Sequence, residues 1–516
     1  MAKLTIKNPA TGEFLGEAPI LSEFEVKSAV AIALKAYPSW RDLGFEGRAS
    51  LLLKARSLLL TRMEELSILV SKENGKPLLE AIAQDVMLLM EVITYYAKNT
   101  KKILRKEKVR VGKWAFMGHH SHIEYEPRGV IGVIGPWNYP VSNPFGPAVM
   151  GLMAGNAVLV KPSEFTPLTA LKVGEIFHAA GIPKNIFQII TGDGSTGAAL
   201  LKSGVNHISF IGSVKTGKKI MALASETLTP ITLELGGKDP LIVCSDADLD
   251  LASSAAVWGA FSNSGQVCAS IERVYVHESI LDAFTHMVVE KTKKLKQGPS
   301  LSPTTDLASM TAPMQVAIVE KHVEDAKAGG AHVLFGGTRR RDLGPQFFTP
   351  TILSNVNPNS LVMRDETFGP ILPLVPFKTE NEAIAMANDS PYGLNAYVWT
   401  RDVERGMRIA SQIQAGTVNV NESLFSFGVP QTPWGGVKES GLGRTHGTIG
   451  LMDMVTMRHV YVNKRPSKKN SFWWFRYSGN KVEMLEGLCW MLFGSGLERL
   501  RGFWRYWRSS RKVSTL

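Results

Sequence analysis

The first hundred residues carry a helical pattern of apolar positions. Apolar residues recur three or four positions apart from about 26 to 100, as in Val26, Val30, Ala33 and Ala36. This spacing places them on one face of an α-helix, so the pattern predicts a series of long helices.

The pattern changes near residue 130. Short apolar runs now alternate with helical patterns of ten to fifteen residues, and the alternation resumes beyond residue 270. The runs lie at 129–135, 157–160, 186–190, 207–211 and 273–276, and further ones follow within 352–375 and 394–421. Strands that alternate with helices predict doubly wound parallel sheets, here in two α/β domains.

Length and cysteine content limit the class of protein. A chain of 516 residues is about three times a typical domain of ~150 residues, so two or three domains are expected. The three cysteines, Cys244, Cys268 and Cys489, form neither a disulfide framework nor a metal-ligand motif. With no apolar leader at the start, the sequence predicts a reducing compartment on the cytoplasmic side and no metal site.

The positive charge is concentrated at the end of the chain. The net charge is +12, yet residues 464–516 alone hold twelve Lys/Arg against three Asp/Glu. The preceding residues are therefore only weakly basic and contain no nucleic-acid-binding motif, so nucleic acid is not an expected partner.

The C-terminal tail, residues 464–516, also contains eleven aromatic residues. On a helix, Leu497, Leu500, Trp504 and Trp507 would share one face, with arginines elsewhere. Because the apolar segments are shorter than the ~20 residues that span a bilayer, the tail predicts peripheral contact with a membrane. The alternative is a clasp on a partner subunit or a lid over the substrate entrance.

Two motifs carry the candidate chemistry. Cys268 lies in the small polar segment Asn-Ser-Gly-Gln-Val-Cys, and Glu234 lies in Leu-Glu-Leu-Gly-Gly-Lys. A cysteine in such a loop can be an exposed nucleophile, and a carboxylate from a separate turn can serve as its base. Together the motifs resemble those of the aldehyde dehydrogenase superfamily, over roughly residues 5–463.

The resemblance implies oxidation of an aldehyde to a carboxylic acid with a nicotinamide cofactor. Cys268 would form a thiohemiacetal and then a thioester, which water hydrolyses with Glu234 as the base. Relatives that transfer the acyl group to coenzyme A usually lack this glutamate, so hydrolysis is favoured. Asn138, in Pro-Trp-Asn-Tyr-Pro, matches the family's oxyanion-hole amide.

Two glycine-rich segments compete for the cofactor phosphates. Gly192 begins a Gly-x-Gly-x-x-Gly match, and Ser213 follows the strand at 207–211. The resemblance assigns the pyrophosphate to Ser213 and places Gly192 near the adenine. A tight strand-to-helix turn is the alternative for Gly192.

Other cofactor contacts are also implied by the resemblance. Lys161 and Glu164 would bind the adenosine ribose, and a carboxylate there favours NAD while leaving NADP possible. Glu164 could instead be an exposed residue at the start of a helix that Ser163 caps. The remaining implied cofactor residues are Trp137, Gly236, Glu366 and Phe368.

Aromatic residues are candidates for the substrate tunnel, and ordinary core packing is the alternative for them. They are Tyr139, Phe425, Phe427 and Trp434. No arginine is evident near Cys268 to bind a substrate carboxylate. A medium- or long-chain aliphatic, or otherwise apolar, aldehyde is therefore preferred over a semialdehyde or amino-aldehyde.

The resemblance also assigns the parts of the chain. Residues 1–109 and 128–236 would form the NAD-binding domain and 237–446 the catalytic domain. Residues 110–127 and 447–463 would form a β element that assembles a homodimer or homotetramer. A non-catalytic lipid-binding protein or scaffold of the same fold is the alternative from another class.

Overall fold

The computed structural model describes residues 2–112, 118–465 and 474–513. The chain divides into two compact units. The first consists of Met1–Arg105 and Tyr125–Thr456, and the second of Lys106–Glu124 and Met457–Leu516.

The strands and helices are numbered in chain order. The strands are β1 Lys3–Lys7, β2 Phe14–Pro19, β3 Glu107–Val109, β4 His119–Pro127, β5 Val130–Ile134, β6 Ala157–Lys161, β7 Phe187–Ile189, β8 His207–Ile211, β9 Ile231–Glu234, β10 Asp239–Val243, β11 Ile271–His277, β12 His332–Phe335, β13 Thr351–Ser354, β14 Ile371–Phe377, β15 Asn395–Trp399, β16 Thr417–Val420, β17 Gly441–Leu442 and β18 Val455–Asn463. The helices are α1 Glu23–Asp42, α2 Gly44–Thr61, α3 Met63–Asn74, α4 Leu78–Glu80, α5 Leu88–Ile103, α6 Ser142–Ala154, α7 Pro167–Ala179, α8 Gly194–Lys202, α9 Val214–Ser225, α10 Leu249–Phe261, α11 Leu281–Lys293, α12 Pro313–Ala328, α13 Leu361–Arg364, α14 Glu380–Asn388, α15 Val403–Ala410, α16 Gly447–Met452, α17 Gly479–Phe493 and α18 Gly496–Ser510.

The first large sheet has six strands in the order β17-β9-β8-β5-β6-β7. Strands β5 to β9 pair in parallel, while the short β17 is antiparallel to β9. All residues of β5, β6 and β8 are buried. Helices cover both faces of a parallel sheet, which explains why these strands are continuous apolar runs.

The second large sheet has seven strands in the order β12-β13-β14-β11-β10-β15-β16. It is parallel except for β12, which is antiparallel to β13. In both sheets the loops that follow the parallel strands gather at one edge, where ligands bind in open α/β folds.

The second unit contains a small sheet and a helical hairpin. The sheet has the order β18-β4-β3, and the hairpin is formed by α17 and α18. A Cβ atom on Gly487 would lie 2.4 Å from the Tyr506 backbone nitrogen, and one on Gly502 would lie 2.5 Å from that of Met491. Glycine at these two positions therefore lets the helices approach closely.

The predicted fold class is confirmed, because the chain has parallel α/β sheets, a small β element and a helical tail. No helix among the described residues is long and apolar enough to cross a membrane. The predicted tail is described except for residues 466–473 and 514–516, so those parts of the prediction lie outside the described residues.

Candidate active site

The loop that carries Cys268 has an unusual backbone. It follows α10 through the turn Ser262–Gly265, in which Asn263 and Ser264 have φ values of 49° and 55°. Left-handed conformations cost energy in residues other than glycine, and they recur at functional sites. Gly265 follows, and its lack of a side chain lets the loop pass close to Gly369, because a Cβ atom on Gly265 would lie 2.3 Å from the Gly369 carbonyl.

Glu234 ends β9 and lies in a buried environment. Its Oε1 accepts a 3.4 Å hydrogen bond from the Trp434 indole nitrogen, and the carboxyl group also interacts with the Cys268 side chain. Burial raises the pKa of Glu234 to about 7. A carboxyl group with that pKa can both take up and release a proton near neutral pH.

The Leu-Glu-Leu-Gly-Gly turn brings Glu234 to the nucleophile loop. A Cβ atom on Gly237 would lie 2.6 Å from the Cys268 carbonyl oxygen, so the two backbones are in close contact. Burial, and then the neighbouring Glu234 carboxylate, raise the pKa of the Cys268 thiol well above its ordinary value. In this environment the thiol keeps its proton at neutral pH unless a base removes it.

Asn138 is attached to the nucleophile loop by its side chain. The residue is buried, and its Nδ2 donates a 3.0 Å hydrogen bond to the Gln266 carbonyl, two positions before Cys268. Its Oδ1 accepts from Asn143 Nδ2 at 3.4 Å. These contacts hold the amide of Asn138 beside the segment that carries the candidate nucleophile.

The two glycine-rich segments differ in what caps the helix that follows. The Asp193 side chain caps α8 by accepting a 2.8 Å hydrogen bond from Ser195 N, so a carboxylate already occupies that N-terminus. At α9 the cap is the neutral Ser213, whose Oγ accepts from Thr216 N at 3.4 Å. A phosphate is repelled by the first terminus and attracted by the second, which favours Ser213.

Gly192 lies where the backbone passes close to the side chain of Thr196. Its φ is 152°, and a Cβ atom there would lie 2.0 Å from Thr196 Oγ1. The residue follows β7, whereas Lys161 ends β6 and Ser213 follows β8. These candidate cofactor residues therefore lie along the same edge of the first sheet.

Lys161 and Glu164 form an ion pair of unequal exposure. Their side chains are 3.7 Å apart, with Lys161 buried and 42% of the Glu164 side chain exposed. Helix α7 begins at Pro167 with Thr166 as its N-cap, so the alternative of a helix start capped by Ser163 is wrong. Glu164 lies in a loop, where its carboxylate is accessible to ribose hydroxyl groups.

The last group of predicted cofactor residues forms two contacting pairs, Glu366 with Gly236 and Trp137 with Phe368. Glu366 Oε1 accepts from Gly237 N at 3.0 Å, and a Cβ atom on Gly236 would lie 2.3 Å from Glu366 Oε2. Trp137 and Phe368 meet edge to face, with ring centroids 5.3 Å apart. The absence of a side chain at Gly236 lets the Glu366 carboxylate lie against this turn, where it can accept hydrogen bonds from a nicotinamide ribose.

A large cavity of about 980 Å³ has Cys268 on its wall. All four predicted tunnel residues also line it, namely Tyr139, Phe425, Phe427 and Trp434. Phe427 and Trp434 pack edge to face, with ring centroids 5.3 Å apart. The volume is at the upper end of the range of small-molecule sites, about 300–1,000 Å³.

Sequence reasoning missed much of the cavity wall. Leu79, Met87 and Trp258 line the cavity and are exposed, as is Phe425. They lie on four separate elements, so no local signal separates them from scattered apolar residues at the surface. Also missed were Lys76 and Asp85, a fully buried ion pair near Asn138. Because Glu80 and Gln84 lie between them in the sequence, no local signal marks these two charges as buried.

Residues 2–460 match the sequence model of the aldehyde dehydrogenase family. The chain belongs to the aldehyde dehydrogenase family. It is therefore an enzyme of the NAD(P)-dependent class that oxidises aldehydes, and the alternative of a non-catalytic protein is set aside. Within the described residues no cluster of three or more His, Cys, Asp or Glu residues could hold a metal ion.

Three similar proteins extend this result. A 4,4'-diapolycopene aldehyde oxidase from a Methylomonas species is 36% identical over 504 residues, which cover 97% of this chain and 93% of that protein. A mitochondrial succinate-semialdehyde dehydrogenase from Oryza sativa is 37% identical over 89% of this chain and 86% of its own. The NAD+ complex of an aldehyde dehydrogenase from Bacillus cereus has a TM-score of 0.86 at 32% identity, and the match covers 90% of this chain and 93% of that one.

Proposed function

We propose that this aldehyde dehydrogenase oxidises a medium- or long-chain aliphatic, or otherwise apolar, aldehyde to the carboxylic acid with NAD. The observation that carries the proposal is the cavity of about 980 Å³ that leads to Cys268. Its volume exceeds what a short aldehyde needs, and its wall is mainly aromatic and aliphatic. Burial of an apolar chain there contributes about 25 cal/mol per Å² of surface removed from water.

The charges on the wall argue against a semialdehyde. Among the described lining residues Lys291 is the one Lys or Arg, and its Nζ donates to Asp250 Oδ1 at 2.7 Å and Ser254 Oγ at 2.6 Å. An ammonium group held by a carboxylate and a hydroxyl is poorly placed to bind a second carboxylate. A semialdehyde would therefore leave its own charge unpaired in an apolar cavity, which is costly.

The tail offers a second line of support for an apolar substrate. The alignment with the diapolycopene aldehyde oxidase covers 97% of this chain, whereas that with the succinate-semialdehyde dehydrogenase covers 89%. The first relative's name specifies an aldehyde of a polyene hydrocarbon. An alignment over 97% of the chain extends into residues 464–516, so the resemblance to that relative includes part of the tail.

In the proposed reaction the Cys268 thiol gives its proton to Glu234 or to solvent, and the sulfur attacks the aldehyde carbon to form a thiohemiacetal. The side-chain N–H of Asn138 donates a hydrogen bond to the resulting oxyanion. Loss of one such donor typically lowers the rate ~10²–10³-fold. After oxidation, a thioester remains on Cys268. Glu234, with any earlier proton released to solvent, then takes a proton from the water that attacks the thioester. The Cys268 thiolate leaves and regains that proton, and the acid is released.

NAD, when bound, accepts the hydride from the substrate carbon. Ser213 would bind its pyrophosphate, Lys161 and Glu164 its adenosine ribose, and Glu366 its nicotinamide ribose. The exposed carboxylate of Glu164 would repel a 2′-phosphate, so NAD is preferred while NADP stays possible. A higher kcat/KM with NADP than with NAD would contradict this assignment.

The test is a series of straight-chain aldehydes of increasing length, with succinate semialdehyde and betaine aldehyde as charged comparisons. We expect kcat/KM to rise with chain length, by up to about fourfold for each buried methylene at ~0.8 kcal/mol. Lys291→Met serves as the control. Because Lys291 is not expected to bind the substrate carboxylate, this variant should have the same kcat/KM for succinate semialdehyde as the wild type. A preference for a charged short aldehyde would leave the reaction intact and overturn the apolar substrate.

We further infer peripheral contact between the C-terminal tail and an anionic membrane surface. On α18, Leu497, Leu500, Trp504 and Trp507 are all exposed. The same helix carries arginines at several positions, among them Arg501 and Arg508. Exposed aromatic and aliphatic residues next to arginines fit the boundary between lipid headgroups and acyl chains.

Sedimentation with vesicles tests this contact. Binding should be strong on vesicles that contain phosphatidylserine, weaker on neutral phosphatidylcholine, and lost after deletion of 464–516. Trp504→Glu should weaken it, whereas Ser510→Glu adds the same charge near the end of the helix and serves as the control. Equal binding by wild type and the deletion variant would leave the tail as an assembly element or lid.

The small sheet of the second unit is the proposed assembly element. The family resemblance assigns residues 110–127 and 447–463 to it, and they would pair with their counterparts in a homodimer or homotetramer. Of these, 113–117 lie outside the described residues, and Gly447–Met452 forms helix α16 outside the sheet. Strands β18 and β3 lie at the edges of this sheet, and edge strands can pair with another chain.

A further inference from the structure

Lys76 and Asp85 form an ion pair that is completely removed from solvent. The Lys76 ammonium lies 2.7 Å from Asp85 Oδ2, and both side chains have an exposed fraction of 0%. Burial lowers the pKa of Lys76, and the Asp85 carboxylate opposes that change. Buried ion pairs of this kind contribute little net stability, so the retention of two charges here calls for another reason.

Both members of the pair hold the loop that carries Asn138. Lys76 Nζ donates to the Asn138 carbonyl oxygen at 2.7 Å and lies 3.9 Å from the centre of the Tyr139 ring. Asp85 Oδ1 accepts from Val141 N at 2.9 Å and from Ser142 N at 3.1 Å. The pair therefore fixes the backbone of Asn138 on one side and that of the start of α6 on the other.

The same stretch of chain also holds the nucleophile loop. Glu80 accepts hydrogen bonds from Asn263 N at 3.0 and 2.9 Å and from Ser262 Oγ at 2.9 Å. Asn74 Nδ2 donates to the Trp137 carbonyl at 2.8 Å. Residues 74–85 are thus bonded to both loops that carry the candidate catalytic groups.

We propose that the Lys76–Asp85 pair is a positioning device that sets the Asn138 amide against the oxyanion formed at Cys268. The inference rests on the role of Asn138 in the proposed function. The pair acts through the backbone of Asn138 and need not touch the substrate. A side-chain amide on a loop held at two points by charged hydrogen bonds is pre-organised, and pre-organised donors stabilise developing charge most effectively.

A mutant cycle tests the proposal. The variant Lys76→Met/Asp85→Asn removes both charges together and keeps an oxygen acceptor for Val141 N and Ser142 N. It should lower kcat by about 10- to 10²-fold, the cost of a misplacement of about 1 Å, with little change in KM for NAD. Asn138→Ala should lower kcat by about 10²–10³-fold.

The decisive variant is the triple variant, which combines Lys76→Met, Asp85→Asn and Asn138→Ala. If the pair acts through Asn138, the triple variant should be no slower than Asn138→Ala within about threefold, since groups that act as one unit are not additive. The control replaces a remote ion pair, Arg405 with Asp246, which are 2.9 Å apart. Arg405→Met/Asp246→Asn combined with Asn138→Ala should instead multiply the separate effects.

Each remaining outcome has a defined meaning. Multiplied effects in the triple variant, or an unchanged kcat in Lys76→Met/Asp85→Asn, would overturn the positioning role and leave the proposed function intact. An unchanged kcat in Asn138→Ala would overturn both. If the double variant does not fold, Lys76→Arg keeps the charge pair but replaces the compact ammonium with a planar guanidinium, so it should lower kcat and takes the place of the double variant in the cycle.

Discussion

Cys268 and Glu234 are both weaker acids in this protein than in water. Burial raises the pKa of the thiol well above its ordinary range and that of the carboxyl group to about 7. At neutral pH the thiol is protonated and the carboxyl group is partly ionised. Transfer of the proton from sulfur to carboxylate is still uphill. It removes the negative charge of Glu234, however, so it costs less than ionisation of the thiol beside an ionised Glu234.

We expect kcat to rise with pH through about 7 in the wild type, because Glu234 must lose its proton to act as a base. Activity dependent on the carboxylate is present above that pKa and lost below it. In Glu234→Gln the rise of activity with pH should be absent. This variant should still form a burst of NADH, measured by stopped-flow absorbance, but it should not turn over. The matched change Glu226→Gln, at an exposed position, should leave the profile intact.

The outcome of the burst assigns the step. A burst without turnover places Glu234 in hydrolysis of the thioester. If Glu234→Gln shows no burst while it still binds NAD, the carboxylate is required before hydride transfer. A pH profile identical to that of the wild type would contradict its role as a base at either step.

The residues found from the sequence differ in kind from those that were missed. Cys268, Glu234 and Asn138 stand in distinctive local motifs, so sequence alone selects them. Lys76 gains its significance from a contact with Asn138 and Asp85 from one with Val141, each more than fifty positions away in the chain. Such contacts depend on tertiary packing, and a single sequence does not encode them locally.

Among the elements, the buried parallel strands were the most predictable. The apolar runs at 157–160 and 207–211 correspond to β6 and β8 within one residue, because burial on both faces requires continuous apolar sequence. Strand β17 was not predictable: it has two residues and completes the first sheet from a distant part of the chain. The π-helical turn Ala81–Met87 likewise has no sequence signature.

That π-helical turn forms part of the cavity wall through Ala83, Gln84 and Met87. Turns of this type are rare and occur often at functional sites. Their wider backbone shifts the side chains of one helix face relative to an α-helix. Here the turn gives the cavity small and flexible residues at positions where a long substrate would pass.

We expect Ala83→Trp to shorten the range of accepted aldehydes. The indole would fill part of the cavity, so kcat/KM should fall at least tenfold for long-chain aldehydes and change less than twofold for acetaldehyde or propanal, because overfilling a packed site costs about 1–3 kcal/mol. Steady-state kinetics across the chain-length series measures this. Ala328→Trp, at an exposed end of α12, is the control.

An equal loss for short and long aldehydes would show that the variant damages the catalytic groups and does not merely block the passage. In that case the path of the substrate would have to follow another part of the wall, such as the side that includes Val257 and Leu295.

At the scale of the whole molecule, the candidate chemistry lies in one unit and the basic, aromatic tail in the other. Cys268, Glu234, Asn138 and the lining of the cavity all belong to the first unit. The hairpin of α17 and α18 belongs to the second, and its two helices are in extensive contact with each other. Catalysis and attachment can therefore be separated by experiment.

We expect deletion of 464–516 to leave kcat on a short, water-soluble aldehyde within about twofold of the wild type, because no candidate catalytic group lies in the tail. The same deletion should lower activity on a long-chain aldehyde delivered in anionic vesicles. Parallel assays with one enzyme preparation measure both. A loss of activity on the soluble aldehyde would indicate that the tail supports the catalytic unit or its assembly.

The apolar cavity has a consequence for product release. The reaction turns a neutral end group into a carboxylate beside Glu234, which is itself buried and acidic. Two like charges in a poorly solvated site repel each other, and the new one has lost the hydration that water would give it. The product is thus less stable in the site than the substrate, and we expect weak inhibition by the acid. The aldehyde group can enter from an apolar phase, while the acid gains most by leaving for water.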